Sequence, residues 1–374
     1  MKAKHRAQCA QYGRVALMLQ GGGALGAYQV GVYKALEEAG CIPSWICGVS
    51  IGSINGALIA GNPPHKRLER LQEFWSLVTS RSLGALEPAD SPLGKWAAAF
   101  SGFSTMMLGQ PGFFQPHLVN PWLTLPGTQY ATSYYDTTEL KDTLNRLIDF
   151  KRLNNGEIRL SIGAVNVATG DNVFFDTAKE PITADHIMAS GALPPALPMV
   201  KIGESYYWDG GLVSNTPLQY LLDQEEKLSS LVFQVELFKA AGPIPETMSQ
   251  VEARQKDITY SSRTRHAAYG FKNALALRRQ LAQAYQRIPA RLRTPEEEAL
   301  MQLYANEGVV NLIQLIYQSR PDESDNKDYE FSRSTMEEHA SVGYRDAVET
   351  LSHTEWLEMP APEQGVALHR LHVD

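Results

Sequence analysis

The stretch from residue 15 to residue 60 constrains the fold more than any other part of the chain. It opens with the continuous apolar run Val15-Ala16-Leu17-Met18-Leu19, as in a buried parallel strand. Gln20 and three consecutive glycines, Gly21-Gly22-Gly23, follow. From Ala24 to Ala39 apolar residues recur at helical spacing (Leu25, Tyr28, Val32, Leu36), and Gly40 suits a helix C-cap. A second apolar run, Trp45-Ile46-Cys47, leads into Gly48-Val49-Ser50-Ile51-Gly52 and then into the small, apolar segment from Ser53 to Ala60. The order is βαβα, the start of a doubly wound α/β sheet.

G-x-S-x-G between a strand and a helix places a serine on a sharp turn. The flanking glycines relieve the Cβ clashes of that turn, and the hydroxyl points out at the top of the sheet near the positive end of the helix. The plain alternative is a strand–turn–helix junction that needs small residues. The glycine loop has two readings as well. Gly21, Gly23 and Gly26 satisfy G-x-G-x-x-G, but a dinucleotide site wants an acid near the end of the second strand, and Ser50 stands there instead. The other use of such a loop is to aim backbone N–H groups at a developing negative charge. That use needs a nucleophile on the neighbouring strand, and Ser50 supplies it.

Bulk properties narrow the class. With 374 residues, 44% hydrophobic and 20% charged, the chain can build one large or two medium domains. A net charge of −7 gives no general argument for nucleic acid. No stretch approaches the ~20 apolar residues of a spanning helix, and Met1 to Arg14 lacks the apolar core of a secretory signal. Any membrane contact is therefore expected to be peripheral. The cysteines, Cys9, Cys41 and Cys47, are few and odd in number, which reads as reduced thiols in a cytoplasmic setting with no disulfide framework.

Further along, residues 63–80 read as an amphipathic core helix. Residues 83–135 are irregular, with scattered Trp96, Phe100, Phe103, Met106, Met107, Phe113, Phe114 and Trp122. This reads as a lid or wall over the site, part of it facing a membrane, or as a satellite hydrophobic cluster. A helix is expected from Thr137 to about Phe150, strands at 158–167 and 173–175, and a short helix at 183–190. Tyr206-Tyr207-Trp208 then ends in Asp209-Gly210-Gly211: a turn, or a carboxylate displayed at a strand end where α/β sheets meet their ligands. Leu231 to Val235 is a further core strand, and Pro243-Ile244-Pro245 marks a change of character. Between Arg254 and Arg293 stand ten Lys or Arg residues against one acid, Asp257, a solvated helix face or a surface for anionic headgroups.

Three features together resemble the patatin-like phospholipase family: Gln20-Gly21-Gly22-Gly23-Ala24-Leu25-Gly26, the elbow Gly48-Val49-Ser50-Ile51-Gly52, and Asp209-Gly210-Gly211. The resemblance covers residues 13–240, and Met188 to Pro194 is similar to the family's Ala-Ser-x-x-x-Pro region. Two positions depart from the pattern: Gln20 stands where the family often has Asp, and Leu25 where it often has a cation. The resemblance implies a mostly parallel sheet flanked by helices in three layers, with residues 241–374 as a mainly helical C-terminal extension like that of a bacterial subgroup. It implies Ser50 as nucleophile and Asp209 as base, with no histidine. Gly21, Gly22, Gly23 and Ile51 supply the oxyanion hole, and Gly26, Gly48, Gly52, Gly210 and Gly211 shape the backbone. It implies no metal or cofactor, and a lipid or lysolipid as substrate. The function expected is phospholipase A or lysophospholipase activity. The alternatives are an esterase or thioesterase acting on small soluble esters, and a non-catalytic membrane- or partner-binding protein.

Overall fold

The computed structural model describes residues 2–79, 109–224, 228–305, 308–318, 328–362 and 364–371. Trp96, Phe100, Phe103, Met106 and Met107 of the irregular segment lie outside the described residues. The strands in chain order are β1 (Arg14–Leu19), β2 (Trp45–Val49), β3 (Gln115–Pro116), β4 (Tyr135–Asp136), β5 (Arg159–Asn166), β6 (Asn172–Asp176), β7 (Val200–Ile202), β8 (Ser205–Asp209), β9 (Ser230–Glu236), β10 (Val310–Ile316) and β11 (Val366–Arg370). Nine of them form one sheet in the order β11-β10-β9-β1-β2-β5-β8-β7, with β6 also paired to β5. From β11 through β5 the strands are parallel. β6, β7 and β8 run antiparallel to their neighbours. β3 and β4 make a separate antiparallel pair.

The continuous apolar runs are buried on both faces because helices cover both. Leu17 and Leu19 of β1 join the larger core, with Leu36, Ile54 and Leu71 from the helices Ala27–Ala39, Ile51–Ala60 and Arg67–Val78. Ala16 and Met18 point the other way, towards Trp45, Cys47, Leu218 and Leu275. The two-residue period of the strand thus divides one apolar run between two cores, the three-layer arrangement.

The chain beyond residue 240 is mainly helical, and it also contributes β10 and β11 to the same sheet. Much of its basic stretch lies on one long helix, Met248–Tyr285. Helix Arg333–Ser352 packs across helix Ala27–Ala39 at two glycines. A Cβ on Gly31 would stand 1.8 Å from the carbonyl oxygen of Ala340, and one on Gly343 would stand 2.0 Å from that of Tyr28. Only glycine lets the two backbones approach so closely. At the same crossing the Tyr28 hydroxyl donates to Asp346 at 2.9 Å.

One expectation is corrected. Cys9 and Cys41 form a disulfide, with Cα atoms 5.8 Å apart, and the free thiol is the buried Cys47. Helix Lys2–Cys9 folds back so that Cys9 meets Cys41, just beyond the end of helix Ala27–Ala39. A disulfide is at home in an oxidising compartment, so the cytoplasmic setting loses the support that three thiols lent it. Among the described residues no helix is long and apolar enough to cross a membrane.

Candidate active site

Ser50 joins the end of β2 to helix Ile51–Ala60 with φ 55° and ψ −125°. Among the described residues it is the only non-glycine with positive φ. Such a conformation costs on the order of 1–3 kcal/mol and persists only where its surroundings enforce it. Here they do. A Cβ on Gly48 would lie 2.4 Å from the carbonyl oxygen of Gly52, and one on Gly52 would lie 2.3 Å from that of Leu19. The Ser50 amide donates to the backbone oxygen of Ser190 at 3.1 Å and to its Oγ at 3.0 Å. Ser190 Oγ in turn donates to the Gly163 carbonyl at 2.7 Å.

Asp209 reaches this serine through an unusual use of a sheet edge. β2 runs along one edge of β5 as far as the pair Val49–Gly163. The next position, Ala164, pairs with Asp209 of β8, while β6 occupies the opposite edge. β8 therefore takes up the edge that β2 leaves, and its last residue stands beside the residue after β2. The Asp209 carboxylate accepts from the Gly211 amide at 2.7 Å and lines the same cavity as Ser50. Burial pushes its carboxyl up to about 6, working against the Gly211 amide and the polar Ser50 side chain, which favour the charged form. Gly210 is needed where it stands, since a Cβ there would lie 2.6 Å from the Gly163 carbonyl oxygen.

The glycine loop lies against Ser50. A Cβ on Gly21 would fall 2.9 Å from the serine Cβ, and Asn215 Nδ2 donates to the Gly21 carbonyl at 3.0 Å. The Ala24 amide donates to the Asp328 carbonyl and the Leu25 amide to Gly22. The amides of Gly22, Gly23 and Ile51 have no protein acceptor among the described residues, which leaves them available to an anion beside Ser50. Gly26 packs against Ile51, where a Cβ would lie 2.5 Å from Cγ1. The two departures from the family pattern also find places here. Gln20 is buried and accepts from the Leu237 amide at 2.5 Å, tying the loop to the end of β9. Leu25 is fully buried in the core.

Ser50, Asp209 and the loop open onto a cavity of about 120 Å³. Its remaining walls are largely rings: Phe113, Phe114, Phe238, Tyr260, Tyr329 and Phe331. Among the described residues no histidine lines it. A smaller, apolar recess of about 30 Å³ shares Ser50 and runs between Ile54, Leu140, Met188 and Leu197. Tyr260, Asp328, Tyr329 and Phe331 belong to the C-terminal region, where sequence reasoning assigned no site residue. The aromatic stretch Tyr329-Glu330-Phe331 carries two of these four positions.

Comparison with known proteins places the chain in a family. A profile described as patatin-like phospholipase matches residues 17–222, more than half of the chain. The chain belongs to the patatin-like phospholipase family. A second profile, described as patatin phospholipase, matches residues 258–363, so the C-terminal region that walls the cavity is itself a recognised patatin-associated segment. A cGAMP-activated phospholipase from Escherichia coli is 26% identical over 214 residues, covering 54% of this chain and 52% of that protein. Lysophospholipase nte1 from Aspergillus terreus is 63% identical over 46 residues, covering 12% of this chain and 3% of that protein. Triacylglycerol lipase SDP1L from Arabidopsis thaliana is 48% identical over 48 residues, covering 13% and 6%. The chain thus spans about half the length of one relative and a small part of the others. VipD from Legionella pneumophila is 15% identical with a TM-score of 0.42, covering 91% of this chain and 67% of that one.

Proposed function

We propose that this patatin-like protein hydrolyses carboxylic esters of lipids, as a phospholipase A or lysophospholipase, with Ser50 as nucleophile and Asp209 as base. The observation that carries the proposal is that Ser50 and the buried carboxylate of Asp209 line one cavity, beside backbone amides free to receive an anion. Asp209 takes the Ser50 proton as Oγ attacks the carbonyl carbon. The oxyanion that forms is held by the amides of Gly22, Gly23 and Ile51, with the Gly21 turn shaping the hole. The ester C–O bond then breaks, and the departing alcohol takes the proton from Asp209. Water attacks the acyl-enzyme, passing a proton to Asp209 and then to Ser50 Oγ, and a fatty acid leaves. A carboxyl near 6 is a better base than an ordinary aspartate and is still ionised at neutral pH. The names of the relatives, two phospholipases and a triacylglycerol lipase among them, support a lipid acyl substrate.

The substrate is met at a lipid surface. Trp122 and Leu123 are 84% and 82% exposed, with Leu118 and Leu125 beside them. The Trp122 indole N–H is satisfied by the Tyr134 hydroxyl at 3.1 Å, leaving its ring body outward. Residues flanking this patch in the chain, Phe114 and Tyr135, line the cavity. That continuity supports a patch that rests in the interface while the ester enters.

The test is labelling with a fluorophosphonate, followed by a panel of phospholipid, lysophospholipid, triglyceride and short-chain ester. Wild-type protein is expected to label and Ser50→Ala is not. Equal labelling of the two removes Ser50 from the chemistry. Turnover of the short-chain ester alone favours a soluble esterase over a lipid hydrolase.

A further inference from the structure

We propose that Lys256 and Asp328 are positioning residues for the oxyanion loop, through an ion pair that presses the Asp328 carbonyl against Gly23 and Ala24. The inference rests on the hydrolase reading above and assigns a task to the C-terminal region. The glycine loop is held from two sides. On the sheet side, Gln20 bonds to the end of β9 and Asn215 holds the Gly21 carbonyl. On the other side the contact is a backbone carbonyl from more than 300 positions later in the chain. The Ala24 amide donates to the Asp328 oxygen at 3.0 Å. That oxygen also occupies the place a Gly23 side chain would take, since a Cβ there would lie 2.3 Å away, and Gly23 itself has φ 56°. The peptide planes on both sides of Gly23 are thereby set, and these orient the amides of Gly23 and Ala24: one left for the oxyanion, the other already used.

The Asp328 carbonyl needs its own support. After it, Phe331 stacks on Trp75 with ring centroids 6.4 Å apart and meets Phe113 at 6.1 Å. Ser332 then caps helix Arg333–Ser352 by accepting from the Thr335 amide at 3.3 Å. At Asp328 the support is electrostatic: Lys256 Nζ lies 2.8 Å and 3.1 Å from the two carboxylate oxygens and 4.7 Å from the centre of the Tyr329 ring. Lys256 sits one turn before Tyr260 on helix Met248–Tyr285, and Tyr260 takes a hydrogen bond from Gln20 on its carbonyl at 3.4 Å. One face of this helix therefore touches both supports of the loop. The side chains of the ion pair are 33% and 14% exposed. A thermal midpoint read beside the rates separates an effect on the loop from an effect on folding.

The experiment uses the full chain and compares wild type with Lys256→Met, Lys256→Arg and Asp328→Asn. It measures kcat and KM on a p-nitrophenyl acyl ester, the rate of fluorophosphonate labelling at Ser50, and the thermal midpoint. Loss of one oxyanion donor costs roughly a hundredfold or more in rate, so loosening one is expected to cost on the order of tenfold. Lys256→Met and Asp328→Asn should lose that factor in both kcat and labelling rate, with KM within about twofold of wild type. Lys256→Arg should return most of it. Wild-type rates in folded Lys256→Met, or a loss that Lys256→Arg does not return, overturn the proposal. If Lys256→Met fails to fold, the near-isosteric Asp328→Asn decides alone. Wild-type protein that takes no label sinks the hydrolase reading and this inference with it. Wild-type protein that labels beside variants labelling equally fast sinks the inference only.

Discussion

Replacing Asp209 by asparagine is expected to remove turnover and, above pH 6, to make the protein more stable. The carboxyl is buried and held at about 6 against an ordinary 3.8. Roughly two pH decades separate those values, and each is worth about 1.4 kcal/mol, so keeping the group ionised in the folded state costs ~3 kcal/mol. The sign follows from proton counting. Between pH 3.8 and 6 the folded protein holds a proton on Asp209 that the unfolded chain has released, so stability falls as pH rises through this window and stays lower above it. Below pH 3.8 both states are protonated and the cost vanishes. Asparagine has the same shape and accepts the Gly211 hydrogen bond without the charge. The assay is urea unfolding of wild type and Asp209→Asn at several values between pH 4 and 8. The stability difference should be small at the acid end and grow to ~1–3 kcal/mol in favour of the variant by pH 8, allowing for lost contacts. A difference that does not change with pH refutes the reasoning, because it would mean that Asp209 ionises as freely when folded as when unfolded. In wild type, kcat/KM should rise with pH through about 6 as the base loses its proton.

Two other outcomes follow from the geometry. Gly343→Ala puts a methyl group 2.0 Å from the Tyr28 carbonyl oxygen, so it should cost ~1–3 kcal/mol or more, read as a lowered thermal midpoint; an unchanged midpoint means the two helices can part cheaply. Trp122→Asp with Leu123→Asp should weaken binding to phosphatidylglycerol vesicles by at least about tenfold, since each large apolar side chain contributes ~1.5–3 kcal/mol when buried. Labelling by a soluble fluorophosphonate should be unaffected.

The strands, turns and helices of residues 15–60 were nearly transparent to sequence reasoning because their information is local. A strand, a glycine turn, a helix and a second strand each carry a short-range signature, and Ser50 sits where those signatures intersect. Asp209 was legible as a motif, but its route to Ser50 was not, since that route depends on β8 joining the edge of β5 just where β2 stops. Register of that kind is set by side-chain packing across strands and leaves no local trace. The Cys9–Cys41 bond was missed for a related reason. It needs helix Lys2–Cys9 to fold back, and an odd cysteine count pointed elsewhere. Tyr260, Asp328, Tyr329 and Phe331 were missed as site residues because they lie more than 200 positions from Ser50. The helix after β9 carries Tyr260 to the cavity, and the chain after β10 carries the other three. β10 itself reads Val-Asn-Leu-Ile-Gln-Leu-Ile, and its buried Asn311 and Gln314 masked it as a core strand.

The place of β1 in the sheet has a consequence for how the protein is made. It is the first strand of the chain, yet it stands between β2 and β9, and β9 must in turn receive β10. One side of β1 is closed within about thirty residues of synthesis. The other waits for roughly two hundred more, with its N–H and C=O groups and apolar flanks uncovered in the interval. Parallel pairing at such separation is slow, because loop closure must be met before any contact repays it. The nascent chain therefore carries a finished-looking elbow on an unfinished sheet, and the interval before β9 arrives is when a chaperone has the most to cover.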